Sequence, residues 1–426
     1  MTRIDSLTPR ETPGVLGAAP GVTEDAAAYE ATGGYRARTG AAELLARVEA
    51  AGLRGRGGAG YPTARKLRAV RDAGEPPVVV ANGEEGEPGS VKDRWLLRAR
   101  PHLVLDGLLR AAEITGARRG YVYLSDATAG ERVRRALAER PPLLPVEVVE
   151  TAHTYVAGEE SAVVRRINGG PALPTAKPPR PYEEGVDGAP TLVANVETLA
   201  RIALIAARPD GRHHTARSTL VTLAGAGAGT DSLLAEVSYG RTLRTLARAQ
   251  GTPEPAGVLM GGLFGGLIGP HFLDLALDPD TLTTAGTALG CGAIRFLGPD
   301  ECPVSLASAA LAHLAAESAR QCGICVTGTG SIRDEVGSLT TGTAAPGLVS
   351  RLHRRVTALP GRGACGLLDA AAGTARSLLQ VFPHLVRSHL DAPCPACAAP
   401  AAALTVAVPA VAVRTVPRPR SAPCPR

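Results

Sequence analysis

Residues 317–328 read ESARQCGICVTG and place Cys322 and Cys325 three apart in a turn rich in small residues. Paired thiols at that spacing hold a metal or run a redox cycle. A second stretch, Gly55-Arg56-Gly57-Gly58-Ala59-Gly60-Tyr61, puts four glycines into its first six residues and reaches Lys66 through Pro62-Thr63. Glycines let backbone N–H groups turn inward, and a following helix adds the positive end of its dipole. That combination is a phosphate cradle, with Lys66 as a point charge for the same phosphate. It matches neither the G-x-G-x-x-G dinucleotide fingerprint nor the P-loop spacing. Taken alone, it also reads as a Gly-rich surface turn.

Three more stretches carry carboxylates and amides. Asn82-Gly83-Glu84-Glu85-Gly86-Glu87-Pro88-Gly89 follows the apolar run 78–81, which reads as a buried strand. Ligands of α/β proteins bind at carboxyl ends of strands. Asn82, Glu84 and Glu85 can there hydrogen-bond a sugar or the polar edge of a cofactor ring; a solvated acidic loop is the plainer reading. Gly158-Glu159-Glu160-Ser161-Ala162 lies at another strand-to-helix turn, with Lys177-Pro178-Pro179 downstream. It also reads simply as a charged first helical turn. Asn195-Val196-Glu197-Thr198 opens a helix, for which Asn195 is a good N-cap.

The 46 basic and 40 acidic residues leave a formal charge of +6, spread along 426 residues. No basic stripe is interleaved with aromatics, so nucleic acid is not expected as a partner. Aromatics are only 3% of the chain, so a core must be built from Ala, Val and Leu. The opening MTRIDSLTPRETPG has no apolar signal-peptide region. No run approaches the roughly 18 apolar residues of a spanning helix. A cytoplasmic location is expected, peripheral to a membrane only through partner subunits. Eight cysteines in such a chain argue against a disulfide scaffold. The strong bias toward Arg leaves three lysines, Lys66, Lys92 and Lys177, and three asparagines, Asn82, Asn168 and Asn195. A drift that replaced nearly every lysine should spare those whose compact charge the planar guanidinium cannot imitate. All three lysines fall inside Gly/Pro-rich motifs, which argues against chance survival.

Periodicity divides the chain. Residues 1–40 are Thr-, Pro-, Gly- and Ala-rich and are expected to be mobile. Over 41–215, strands alternate with helices, the pattern of a doubly wound α/β domain. Residues 216–300, with TLVTLA and GVLMGGLFGGLIG, read as a small β-rich module. Residues 301–391 are helical in period, and 392–426 form a Pro/Ala-rich tail.

In order along the chain, these stretches resemble the flavin-bearing, NADH-binding subunit of NADH:quinone oxidoreductase (respiratory complex I) and its hydrogenase and formate dehydrogenase relatives. The family pattern GRGGAGFPTGxK, N-x-[DE]-E-x-E-P-G-[TS]-x-K-D-R, GEE-[TS]-A, K-P-P and N-x-E-T is met with small departures. The resemblance implies a Rossmann-like FMN/NADH domain, a ubiquitin-like β-grasp (SLBB) module and a C-terminal helical bundle carrying an iron–sulfur site. It implies that Gly55, Arg56, Gly57, Gly58, Ala59, Gly60 and Lys66 hold the FMN phosphate and flank the flavin, with Tyr61 in place of the family's stacking Phe. Asn82, Glu84 and Glu85 would bind ribityl and ring groups. Gly158, Glu159, Asn195 and Thr198 would complete the flavin pocket. Glu87, Glu160 and Lys177 would be the catalytic groups that position the nicotinamide nucleotide.

The departures bear on the nucleotide. Arg180 stands where the family has Phe after K-P-P, and an aromatic is missing near Ala69. Each lost platform removes roughly 1–3 kcal/mol of stacking. Ala194 replaces a second Asn before Asn195. The cluster motif of the family is E-S-C-G-x-C-x-x-C-R-x-G with one further Cys downstream, four thiolates for a 4Fe-4S cluster. By resemblance, Cys322, Cys325 and Cys365 take the second to fourth ligand positions, and Ala319 the first. Three outcomes stay open: a three-thiolate cluster completed by water or by Cys302, Cys394, Cys397 or an Asp; loss of the cluster; or another ion such as zinc. Cys394 and Cys397 lie in the Pro-rich tail, where incidental free thiols are as good a reading. The implied activity is an FMN-dependent NADH dehydrogenase subunit that passes electrons to an iron–sulfur centre and then to ferredoxin-like or other redox partner subunits. The alternative is a non-catalytic or flavin-only scaffold.

Overall fold

The computed structural model describes residues 2–8, 14–36, 39–208, 214–225, 231–398 and 403–413. The chain opens with β1 (Arg3–Leu7), α1 (Ala26–Ala31), α2 (Ala41–Ala50) and α3 (Thr63–Arg71). Strand β2 (Val78–Asn82) leads through α4 (Lys92–Ala99) and α5 (Pro101–Thr115) to β3 (Arg119–Leu124). Helix α6 (Ala127–Glu139) then connects to β4 (Val146–Glu150), and α7 (Glu160–Ile167) precedes β5 (Thr191–Asn195) and α8 (Val196–Ala206). These four strands form an all-parallel sheet in the order β4-β3-β2-β5.

Parallel strands need crossovers, which bury both faces of the sheet under helices. Strand β2 is accordingly apolar throughout. Val79 and Ala81 join the core that holds Leu103 and Leu108 of α5 and Leu199 and Ile202 of α8. Val78 and Val80 pack on the opposite face with Val163 and Val164 of α7. Helices α5 and α8 approach closely at Gly107, where a Cβ would lie 1.9 Å from the Leu199 carbonyl oxygen. The chain winds one way from β2 to β3 and β4, and the other way to β5. The crevice at the carboxyl ends of β2 and β5 is therefore the topological switch point, where such sheets bind ligands.

The next stretch contains β6 (Ser218–Ala224), β7 (Leu233–Ser238), α9 (Leu243–Gln250), β8 (Gly257–Leu259), β9 (Leu267–Ile268), α10 (Pro279–Thr284) and β10 (Ala293–Leu297). It builds a mixed six-stranded sheet in the order β1-β7-β6-β10-β8-β9. Helix α9 starts at Thr242, whose side chain accepts the Thr245 N–H, and ends at left-handed Gly251. Its Leu243, Leu246 and Ala247 pack with Val221, Val237 and Phe296. Helices α11 (Pro303–Ala316), α12 (Gly323–Thr341), α13 (Leu348–Ala358), α14 (Leu367–Val381) and α15 (Pro383–Asp391) share a core that includes Leu311, Ile332, Leu352 and Leu378. Among the described residues no helix is long and apolar enough to cross a membrane.

One expectation from composition needs correction. The N-terminal segment expected to be mobile supplies β1, which pairs in parallel with β7 over five residues. It also buries Val15, Leu16 and Tyr29. Residues 403–413 of the tail run back over the loop after β2 and onto this segment: the Val406 N–H donates to the Pro88 carbonyl at 3.0 Å, and the Thr23 N–H to the Ala412 carbonyl at 2.8 Å. The Thr2 hydroxyl donates to the Ala407 carbonyl. Low-complexity sequence hides such pairing because the partner strand and apolar surface lie hundreds of residues away. Residues 414–426 of the tail lie outside the described residues.

Candidate functional site

Asn82 ends β2 and Asn195 ends β5, and the two are paired in register. The Asn82 amide donates to the Gly158 carbonyl at 2.9 Å and its oxygen accepts the Glu84 N–H at 3.2 Å. The Asn195 oxygen caps α8 by accepting the Glu197 N–H at 2.9 Å, while its amide donates to Asp93 at 2.7 Å. The loops after β2 and β4 and the start of α8 are thus tied together at the switch point. Glu84 is buried. One of its carboxylate oxygens meets His153 Nδ1 at 3.0 Å. The other is buried without a partner, as is the Thr63 hydroxyl at the start of α3.

The glycine loop closes over this crevice. The Gly55 N–H donates to the Tyr61 carbonyl, and the Arg56 N–H to the Thr198 hydroxyl, each at 2.9 Å. A Cβ on Gly57 would lie 3.5 Å from the Asn195 Cβ, and Gly58 requires a φ of +118°. Gly57, Ala59 and Tyr61 stay exposed. Helix α3 begins directly after the loop with no side-chain cap on its first N–H groups, which leaves that terminus suited to an anion.

The Arg56 side chain does not join the cradle. It is buried and donates to the carbonyls of Ala216 and Ser218 at 2.9 Å and to the Tyr239 hydroxyl, pinning the loop to β6. It belongs to a buried charge network that sequence reasoning did not foresee. Lys92, 1% exposed, lies 2.7 Å from Asp93 and 3.3 Å from Glu197. Glu197 also meets Arg201 at 2.8 Å, and Arg201 meets Glu236 at 3.4 Å. Burial alone would raise the Glu197 pKa, but Lys92, Arg201 and Arg56 outweigh it and hold the carboxyl at about 2. Burial likewise pushes Asp93 upward, against the pull of Lys92. A compact ammonium fits between two carboxylates where a guanidinium fork would not. The scarcity of lysine and the K-D-R motif marked this position in the sequence, but not its partners.

A second charged group stands beside the crevice. Lys66 Nζ lies 3.1 Å from Glu160, and Lys177 lies 3.4 Å from Glu160 while also pairing with Glu159. Glu159 caps α7 by accepting the Ser161 N–H at 2.9 Å. Burial would raise the Glu160 pKa, but Lys66 and Lys177 prevail and lower it. Burial would lower that of Lys177, but Glu159 and Glu160 raise it. Two further predicted residues are engaged by contacts of their own. Glu85 is buried and saturated, accepting from Ser90, Asp93 and Arg94, so that it caps α4. Glu87 accepts the Leu263 N–H at 3.2 Å and the Tyr155 hydroxyl at 3.4 Å. It lines an apolar cavity with Gly262, Leu263 and Leu404. Burial raises its pKa to about 7. The expectation that Glu87 stands with Glu160 and Lys177 therefore meets a different set of contacts.

Cys322, Cys325 and Cys365 line one cavity, with Ala319 and Pro174 also in its wall. The segment before β5 docks on the same loop. Gln321 donates to the Pro174 carbonyl at 2.7 Å and accepts from Arg165 at 3.0 Å, and the Tyr155 N–H donates to Glu317 at 2.8 Å. Burial raises the Cys365 pKa, and the charges of Glu159 and Lys177 act on it in opposite directions. Cys302, Cys394 and Cys397 are not near this cavity. Cys302 starts α11, whose far end leads to Cys322. Pro393, beside Cys394, packs at Gly342, past the far end of the 19-residue α12. At 1.5 Å per residue that helix separates the two places by about 28 Å. These three thiols are thereby removed as completing ligands for Cys322, Cys325 and Cys365.

Comparison with known proteins bears on this arrangement. Residues 48–204 match the family described as the Nuo51 FMN-binding domain, and residues 305–389 the NADH-ubiquinone oxidoreductase-F iron-sulfur binding region. One NADH-quinone oxidoreductase F subunit of Rhizobium meliloti, designated F 2, is 31% identical over 396 residues, covering 85% of this chain and 94% of that protein. The chain belongs to the family of NADH-quinone oxidoreductase F subunits. Another relative, the NADP-reducing hydrogenase subunit HndC of Solidesulfovibrio fructosivorans, is 31% identical over 382 residues, covering 83% of this chain and 78% of that protein. Among solved structures, the NAD+-reducing [NiFe]-hydrogenase in its H2-reduced state superposes with a TM-score of 0.79 at 27% identity, covering 92% of this chain and 68% of that chain.

The residues fit the groups that this family implies. An uncapped helix start beside a glycine loop suits the FMN phosphate, and the unpartnered Glu84 oxygen suits a hydroxyl-rich ribityl chain. Three thiols around one cavity suit an iron–sulfur cluster, with no side-chain ligand at Ala319. His153 and Tyr155, which hold Glu84 and Glu87, were not signalled by any motif; only the fold brings them to those carboxylates.

Proposed function

We propose that this chain is the FMN-bearing NADH dehydrogenase component of a larger redox assembly. One observation carries the reading: the segment that supplies Lys177 to the charged group beside the flavin crevice also supplies Pro174 to the wall of the cysteine cavity. The two centres share a strap, which supports short-range electron transfer between them.

When bound, FMN would supply hydride acceptance and one-electron release. The chain's own residues bind and orient. The glycine loop and the start of α3, with Lys66, hold the phosphate; Asn82, Glu84, Gly158, Asn195 and Thr198 frame the remainder. Glu160, fixed between Lys66 and Lys177, orients the nicotinamide nucleotide, and Lys177 meets its anionic groups. Glu87 shapes the adjoining wall from behind Tyr155. Cys322, Cys325 and Cys365 hold the cluster, and the corner at Ala319 is left to water or an exogenous ligand.

We further assign 41–215 as the flavin and nucleotide domain, 216–300 as a β-grasp (SLBB) module and 301–391 as the cluster domain. The electrons then pass to partner redox subunits, at a membrane only through those partners. The test is the absorption spectrum of protein purified without oxygen. Flavin bands with a broad iron–sulfur shoulder, bleached by NADH, are expected. Flavin bands that NADH leaves untouched would indicate the scaffold alternative; a colourless protein that takes up no FMN would overturn both.

A further inference from the structure

The thiols excluded from the cluster cavity form a site of their own. Cys302, His389, Cys394 and Cys397 bring four ligand atoms within 4.8 Å of one another. His389 Nε2 lies 3.4 Å from the Cys302 sulfur and 3.4 Å from the Cys397 sulfur, and the Cys394 and Cys397 sulfurs are 3.7 Å apart. A tetrahedral zinc ion, with bonds of about 2.3 Å to sulfur and 2.0 Å to nitrogen, separates its ligands by about 3.8 Å (S to S) and 3.5 Å (S to N). The three closest separations match those of that tetrahedron, and the remaining ones stay within 4.8 Å. A polynuclear cluster fits poorly, because its terminal thiolates must spread around several irons.

The histidine is prepared for the role. It is fully buried. Its Nδ1 lies 2.8 Å from the Leu385 carbonyl, so Nδ1–H donates there and Nε2 keeps its lone pair for a metal. Cys302 is buried at the start of α11, His389 sits in the last turn of α15, and the other two cysteines lie in the tail. Nothing in the function proposed above requires this site.

We infer that Cys302, His389, Cys394 and Cys397 hold a single zinc ion that staples the tail to α11 and α15. The staple has a consequence for the rest of the chain. The tail next meets Arg295, which donates to the Ala403 carbonyl at 3.2 Å, and then Pro88 through Val406. Leu404 closes the cavity onto Glu87. The ion fixes one end of the segment that covers the Glu87 loop.

The test is metal analysis of the full chain, purified without oxygen from zinc-replete medium, with zinc and iron measured separately. One zinc per chain is expected. Cys394→Ser and Cys397→Ser should each weaken zinc retention at least tenfold, since even an outer-shell partner is worth roughly ten- to a hundredfold. Their iron and FMN contents should stay unchanged, and proteolysis between residues 391 and 413 should become faster. Cys322→Ser should lose iron and keep zinc. Should the variants fail to fold, cobalt(II) added to zinc-depleted wild-type chain reads the same site through tetrahedral thiolate absorption that zinc abolishes. Zinc retained by both serine variants, iron in place of zinc, a Cys394–Cys397 disulfide in the anaerobic protein, or no cobalt signal would each overturn the assignment.

Discussion

Asn82 and Asn195 end adjacent parallel strands in register, and between them they tie together the loop after β2, the turn at Gly158 and the first turn of α8. Removing the Asn82 side chain leaves the Gly158 carbonyl without its donor and the Glu84 N–H without its acceptor. Asn82→Ala should cost about 1–3 kcal/mol of stability and lower the FMN retained per chain. Thermal melting of flavin-free protein and flavin release on gel filtration measure the two effects. A variant that keeps full flavin and melts like wild type would remove Asn82 from the site.

Glu160 lies between Lys66 and Lys177. Glu160→Gln keeps the shape and removes the charge, so both ammonium groups lose an anchor. Hydrogen bonds to charged groups contribute about 1.5–3 kcal/mol. NADH oxidation with ferricyanide as acceptor should therefore lose on the order of tenfold to a hundredfold in kcat/KM, with FMN content unchanged. An unaltered kcat/KM would show that the lysines are held by other means.

Glu87 keeps its proton in the folded state up to about pH 7, against an ordinary value of 4.5. The folded chain thus binds more protons than the unfolded chain between those values. The stability associated with this group is present below about pH 4.5 and is lost as pH rises through about 7. Glu87→Gln should remove that loss: the variant is more stable than wild type above pH 7, by on the order of 3 kcal/mol, and converges with it in acid. Parallel pH–melting curves would contradict the burial of this carboxyl.

Arg56 lies in a loop that reads as a phosphate cradle, yet its guanidinium holds the Ala216 and Ser218 carbonyls. Arg56→Met should destabilise the FMN-free protein by roughly 3 kcal/mol, as expected for one partner removed from a buried charged network. Urea unfolding reads this directly. A loss confined to the flavin-loaded protein would instead return Arg56 to the ligand.

Ala319 lines the same cavity as Cys322, Cys325 and Cys365. Ala319→Cys should raise iron per chain and slow bleaching of the cluster in air, while Cys365→Ser should reduce iron to near zero. Iron content indifferent to both changes would remove the cluster from this cavity.

Much of this site was legible in the chain. The glycine loop, the N-G-E-E-G-E-P-G stretch, G-E-E-S-A and the N-V-E-T turn all fall at strand or helix ends, because local apolar runs and caps already dictate those ends. What could not be read was which way each side chain faces. Glu85 and Arg56 sit in the same sequence stretches as the proposed ligand-binding residues and turn instead to Ser90 and to β6. Glu87 turns to Tyr155. Those choices depend on partners 5 to 183 residues away.

The sequence by itself determined the alternation of strand and helix, the glycines and asparagines at the switch point, and the Cys322–Cys325 pair. Each of these is set by local backbone geometry or by spacing along one turn. Only the tertiary structure decided that Lys92 is enclosed by Asp93 and Glu197, that Thr2 and Thr23 meet residues 407 and 412, and that Cys302 and His389, 87 residues apart, meet the tail cysteines rather than the cavity of Cys322. The rigid length of α12 separates those two thiol groups, and helix length acts on distance only once the helices have packed.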